Sequence, residues 1–122
     1  MATVNVTSEE FEKLVLNDGI VFVDFWAAWC GPCKMFAPIF EAASEKFPEI
    51  KFAKVDTDLE RDLSSAAGIT SIPTLMAFRA GVLVFRQAGA LPAPSFNELI
   101  NAVQNLDMEA VRAEMAKEAR KN

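Results

Sequence analysis

The sequence predicts an α/β domain with a mixed central β-sheet flanked by helices, in the order β-α-β-α-β-α-β-β-α. Three observations carry that expectation. Ile20 to Trp26 is a nearly continuous apolar, β-branched and aromatic run, the pattern of a strand covered on both faces and so central in a sheet, with parallel neighbours. Segments of helical period, several opened by N-capping signals, alternate with short strand segments. Thr74 to Phe78 and Val82 to Gln87 are two strands separated only by Arg79-Ala80-Gly81, so they pair as a hairpin. At 122 residues, 52% apolar and 24% charged, the chain fits one domain that buries a core without staples.

The elements follow in order. Val4 to Val6 is a short strand. Thr7-Ser8-Glu9-Glu10 is a capping box, with Thr7 as N-cap and Glu10 three residues on. Phe11, Leu14 and Val15 continue at helical spacing until Asn17-Asp18-Gly19 ends the helix. After the central strand, Gly31-Pro32 opens a helix to about Phe47, with Pro32 suited to the first turn and Pro38 expected to kink it. Lys51 to Val55 is the next strand. Thr57-Asp58-Leu59-Glu60 reads as a second capping box, for a short helix ending at Gly68. Ser95 to Glu98 reads as a third, before a terminal helix striped by Phe96, Leu99, Ile100 and Val103. The division expected is a domain over residues 1–106 and a charged extension over 107–122, helical or frayed, with Met108, Val111 and Met115 as a narrow apolar stripe.

Composition removes several function classes. The net charge is -5, which argues against nucleic acid or an anionic membrane surface as partner. There is no His, so Ser-His-Asp and Cys-His catalysis and imidazole metal sites are excluded. Acid–base work falls to carboxylates, Lys or Cys. The first ten residues have no basic start and no long apolar stretch, so no signal peptide is expected and the expected compartment is the cytoplasm. There, a pair of cysteines is catalytic or redox-active more often than structural.

That pair is Cys30 and Cys33, in Trp29-Cys30-Gly31-Pro32-Cys33-Lys34. Alone, such spacing also fits half a zinc site or a structural disulfide. The missing half would need two more Cys or His, and so short a loop restricts the unfolded chain little. Its place in the chain is more specific, because it falls where the central strand ends and a helix begins. A thiol in a first helical turn sees unpaired N–H groups and the positive end of the helix dipole, and both favour thiolate. Cys30 lies at the solvent edge and Cys33 one turn further in. The expected order is therefore attack by Cys30 and resolution by Cys33. Asp24, inside an otherwise apolar strand, is costly if it faces the core.

The sequence resembles the thioredoxin family. The resemblance rests on Val23-Asp24-Phe25-Trp26-Ala27 leading into Trp29-Cys30-Gly31-Pro32-Cys33-Lys34 and Ala37-Pro38. It continues through Ala53-Lys54-Val55-Asp56, Gly68-Ile69, Ile72-Pro73-Thr74 and Gly89-Ala90, in order, to about Leu106. It implies the thioredoxin fold and a protein-disulfide reductase working by dithiol–disulfide exchange, with no cofactor and no metal. The partners implied are disulfide-containing proteins and an NADPH-dependent flavoprotein, thioredoxin reductase; the state expected is a monomer. By the same resemblance Asp24 is a buried general base toward Cys33, acting through water, with Lys54 beside it. Gly31-Pro32 is the dipeptide of reductases rather than of oxidants. Pro73 is implied to be cis and to face the disulfide. Trp29, Pro32, Ile72, Pro73, Gly89 and Ala90 form the implied substrate surface, while Trp26 is read as core. Ala28, the Arg79-Ala80-Gly81 turn and the extension past Leu106 depart from the common pattern.

Overall fold

A computed structural model describes residues 2–121; Met1 and Asn122, the outer ends of the expected domain and extension, lie outside the described residues. The strands are β1 (Thr3–Asn5), β2 (Ile20–Trp26), β3 (Lys51–Asp56), β4 (Thr74–Arg79) and β5 (Val82–Ala88). The helices are α1 (Ser8–Val15), α2 (Gly31–Lys46), α3 (Arg61–Ala66), α4 (Ala93–Gln104) and α5 (Met108–Lys121). The strands form one mixed sheet in the order β1-β3-β2-β4-β5. β2 is central, as its apolar run predicts. It is parallel to β3 but antiparallel to β4, so only one of its two neighbours is parallel.

Period-two alternation divides the sheet's side chains between two cores. Phe22 and Phe52 face α2 and α4, where they meet Phe36, Phe40 and Phe96. These rings meet in edge-on, tilted and stacked contacts with centroids 5.3 to 6.3 Å apart. Each such pair contributes about 0.5–1.5 kcal/mol beyond area burial. Phe carries no hydroxyl to satisfy, which suits a face with no polar partner. Val21, Val23, Phe25, Val55 and Met76 point to the opposite face, toward α1 and α3. Asp24 has the parity of Phe22, and Lys54 the parity of Phe52, so both lie on the α2 side.

The helix starts obey the capping signals once and override them twice. Thr7 and Glu10 make the reciprocal box, with the Thr7 N–H donating to Glu10 Oε1 at 2.9 Å. At Thr57 the expected box does not form. Its hydroxyl donates instead to the Trp26 carbonyl at 3.1 Å, tying the end of β3 to the end of β2. Asp56 Oδ1 receives the Asp58 and Leu59 N–H groups, making a turn first, and α3 begins only after Glu60. The Glu60 carboxylate is turned to Ser8, accepting its N–H at 2.9 Å. The third box fails as well. Pro92, at φ -61°, is the N-cap and Pro94 occupies the first turn, so α4 starts at Ala93 and Ser95 lies inside it. Pro38 sits within α2, which runs through it without interruption.

The hairpin turn holds Ala80 at φ 53° and Gly81 at φ 80°, the positive pair of a type I′ turn. At its end, Arg79 Nη1 reaches the carbonyls of Val103, Gln104 and Leu106 at 2.8 to 3.2 Å. One guanidinium thus fixes the C-terminus of α4 and the lead into α5. α5 itself has no buried residue; Val111 and Met115 line a groove with Leu83, Val84 and Leu106. Among the described residues no helix is long and apolar enough to cross a membrane.

Two outcomes follow from these contacts. Truncation after Leu106 keeps every Arg79 contact and removes only exposed or half-buried groups, so it is expected to cost about 1 kcal/mol or less, a fall of about 4 °C in Tm. A thermal melt showing a fall of about 10 °C would make α5 part of the core. Ala80→Asn, which places a residue tolerant of positive φ in the turn, is expected to stabilise by about 0.5–1 kcal/mol in urea unfolding.

Candidate active site

The site is built where β2 turns into α2. Cys30 has extended backbone, φ -89° and ψ 116°, and is the N-cap of α2. Its Sγ accepts the Cys33 N–H at 3.2 Å, one of the donors a helix start leaves unpaired. Gly31 and Pro32 fill the first two helical positions, both exposed, and Cys33 the third. The two cysteines are joined as a disulfide, with Cα atoms 5.2 Å apart. Cys30 is 4% exposed and Cys33 3%, so the expected solvent-edge position of Cys30 is not what this oxidised state shows. Ala27 and the half-buried Trp26 and Ile72 pack around the pair and cover both sulfurs.

The facing wall is the loop before β4. The Ile72–Pro73 peptide is cis, as the resemblance implied, and Cys30 Sγ lies 3.7 Å from the Ile72 carbonyl oxygen. Gly89 donates its N–H to the Pro73 carbonyl at 2.8 Å from a φ of +104°, a backbone shape that favours glycine. Ala90 follows, exposed. Trp29 is 70% exposed, and its Nε1–H donates to Asp58 Oδ2 at 3.0 Å. Asp58 was not among the residues read from the sequence as belonging to the site. The signal was there: parallel β2 and β3 end side by side, so the loops that follow them must be neighbours.

Asp24 is 1% exposed, and neither carboxylate oxygen has a hydrogen-bond partner in the described structure. Burial pushes its pKa up to about 7; Lys54, opposite it in the β2–β3 register, pulls the other way without prevailing. The Lys54 ammonium stands 4.7 Å over the Trp26 ring. A cavity of about 210 Å³ is lined by Asp24, Trp26, Cys33, Lys34 and Lys54, and so joins the carboxyl to the inner cysteine. Trp26 Nε1 is also buried without a partner. Trp26 is therefore more than core: it forms one wall of this cavity and seats the lysine. A space of that size, bordered by unpartnered polar atoms, suits bound water.

The Thioredoxin family model matches residues 2–105. The chain belongs to the thioredoxin family. It is 46% identical over 117 residues to a putative thioredoxin 2 of Streptomyces coelicolor, covering 96% of this chain and 87% of that one. It is 42% identical over 93 residues to thioredoxin-1 of Saccharomyces cerevisiae, covering 76% of this chain and 90% of that one. The solved thioredoxin of Malassezia sympodialis superposes with a TM-score of 0.74 at 31% identity, over 83% of this chain and 92% of that one. The match to the Streptomyces protein reaches into α5.

As a thioredoxin the chain is a disulfide oxidoreductase, and the Cys30–Cys33 pair is its redox centre. A substrate disulfide and the dithiol exchange partners through a mixed disulfide, with two electrons moving to the substrate. Among the described residues that line the cavity beside Cys33, Asp24 is the one carboxyl.

The pH dependence of stability follows from Asp24. Unfolded, its carboxyl releases a proton near 3.8; folded, it holds that proton to about 7. Between those values the unfolded state binds fewer protons, so stability falls as pH rises, and the loss is complete above the folded value. At about 1.4 kcal/mol per unit the penalty is ~4 kcal/mol at most. Asp24→Asn is expected to recover ~2–4 kcal/mol at pH 8 and little at pH 4. Urea unfolding of both proteins across that range checks it; a pH-independent difference would refute it.

Proposed function

We propose that this thioredoxin is a general protein-disulfide reductase in which Cys30 attacks and Cys33 resolves. The observation that carries the assignment is the Cys33 N–H donating to Cys30 Sγ at 3.2 Å at the start of α2. That donor and the helix dipole stabilise a thiolate at Cys30 more than one at Cys33, which lies a turn deeper. Cys30 attacks one sulfur of the substrate, forming a mixed disulfide and releasing the first substrate thiolate. Cys33, its proton drawn to Asp24 through water in the shared cavity, then attacks Cys30 Sγ and releases the second. Lys54 lowers the cost of the Asp24 charge while the proton is held elsewhere. Trp29, Pro32, Ile72, Pro73, Gly89 and Ala90 form the rim that meets the substrate, and the Ile72 backbone offers an edge for a short extended segment. The oxidised pair is returned to the dithiol by an NADPH-dependent flavoprotein, thioredoxin reductase. The chain works in the cytoplasm as a monomer and needs no metal or bound cofactor. Residues 1–106 carry this activity, and 107–122 are an extension to it.

Insulin-disulfide reduction driven by dithiothreitol tests the reading. Cys30→Ser is expected to abolish the acceleration. Cys33→Ser is expected to accumulate mixed disulfides with substrate, because attack survives and resolution does not. In the reduced wild type near neutral pH, iodoacetamide should modify Cys30 well before Cys33. Equal rates, or faster modification of Cys33, would reverse the roles.

A further inference from the structure

The rim of the site continues into a groove that neither cysteine chemistry nor the Asp24 cavity uses. It starts at Trp29 and Ile72, passes the hydroxyls of Ser65, Thr70 and Ser71, and ends at the N-terminal turn of α3. Its volume is about 550 Å³, against about 210 Å³ for the Asp24 cavity, room enough for several residues of an extended chain. Arg61 is the one charged side chain among the described residues that line it. The Arg61 Nε–H donates to the Asp58 carbonyl at 3.3 Å, and the exposed side chain borders the groove. Asp58 in turn holds the Trp29 indole through its carboxylate. Trp29, Asp58 and Arg61 are thus linked in one row beside the disulfide.

We propose that Arg61 is a specificity residue, favouring protein substrates that carry an Asp or Glu a few residues from the cysteine under attack. The inference rests on the reductase reading above. The chain's net charge of -5 disfavours acidic substrates at long range. A guanidinium fork at the groove's end supplies a local exception, since it matches a carboxylate with two parallel N–H donors. The exposed hydroxyl-bearing residues of the lining, Ser65, Thr70 and Ser71, let a polar segment lie there without stranding its backbone groups; the Thr57 and Ser64 hydroxyls already donate to the Trp26 and Glu60 carbonyls.

The test uses synthetic peptides with one internal disulfide that differ only by Glu or Gln, scanned over four positions to either side of the cysteines. For each pair kcat/KM is measured with the reduced full-length protein. The wild type is expected to prefer Glu about two- to fivefold at one or two positions, the size of an exposed ion pair, through KM rather than kcat. That preference should shrink with added salt. Arg61→Gln should bring the Glu/Gln ratio to about 1, while Arg61→Lys should keep part of it. Lys51→Gln, which removes the same charge at the opposite end of β3, should leave the ratio as in the wild type. A ratio near or below 1 at every position in the wild type overturns the proposal, as does a ratio that survives Arg61→Gln or disappears in Lys51→Gln. Insulin reduction by the same preparation separates the two readings: its loss strikes the reductase assignment, and its presence with a flat scan strikes Arg61 alone.

Discussion

A helix that begins at Gly31 leaves its first N–H groups without intrahelical acceptors, and the Cys30 sulfur takes the one from Cys33 at 3.2 Å. Much of the molecule serves to keep that helix start where it is. β2 must end at Trp26, Ala27 must be buried to receive the Cys30 N–H at 3.2 Å, and α2 must be anchored along its length. The anchoring comes from Phe36 and Phe40, which lock into Phe22, Phe52 and Phe96. A loosened aromatic cluster would let the helix start drift, and the sulfur would lose its donor. The redox chemistry of Cys30 is in this sense a consequence of packing several residues away.

The same geometry explains how a carboxyl is kept inside an apolar strand. Asp24 shares the α2 face with Lys54, and burial outweighs the lysine's pull, so its pKa is pushed up to about 7. A closer ammonium would leave a permanent carboxylate with no appetite for a proton. Without one, burial alone would act on the carboxyl and hold its proton more tightly. Trp26 seats the Lys54 ammonium 4.7 Å over its ring. The stability lost to this arrangement is borne by the two cores on either side of β2.

Much of this was legible in the sequence. The apolar run with one carboxylate, the cysteines after it and the hairpin signal located β2, α2, β4 and β5 closely, because each signal is local. The misreadings were of another kind. Thr57 and Ser95 carry the letters of capping boxes, but Thr57 is claimed by the Trp26 carbonyl and Ser95 is pre-empted by Pro92 and Pro94. A side chain with two suitors goes to whichever the tertiary fold brings nearer, and sequence spacing does not record that choice. The burial of Cys30 is of the same type, since Ile72 covers it from 42 residues away. Asp58 was missed because its partner, the Trp29 indole, is 29 residues distant and becomes a neighbour only through the parallel pairing of β2 with β3.

Of the positions that depart from the common pattern, Ala28 is exposed but borders the cavity of Asp24 and Cys33, while the Arg79 turn and α5 sit away from the sulfurs, and that separation has a physical reason. Groups that set the proton and thiolate balance act over a few ångströms in a buried, low-dielectric region, where one altered charge changes the reaction itself. Ala28 is at the surface, the Arg79 turn is at the far end of the hairpin, and α5 contributes no buried residue. Exposed sites such as these interact with a partner through screened charges and modest apolar contact, worth a few-fold in preference. The match to the Streptomyces protein extends into α5, so that relative shares at least part of the extension. The extension is tethered by Arg79 at its base and shares a groove with Leu83 and Val84 of β5, the strand at one edge of the sheet, so what it contributes is surface beside that edge and not core.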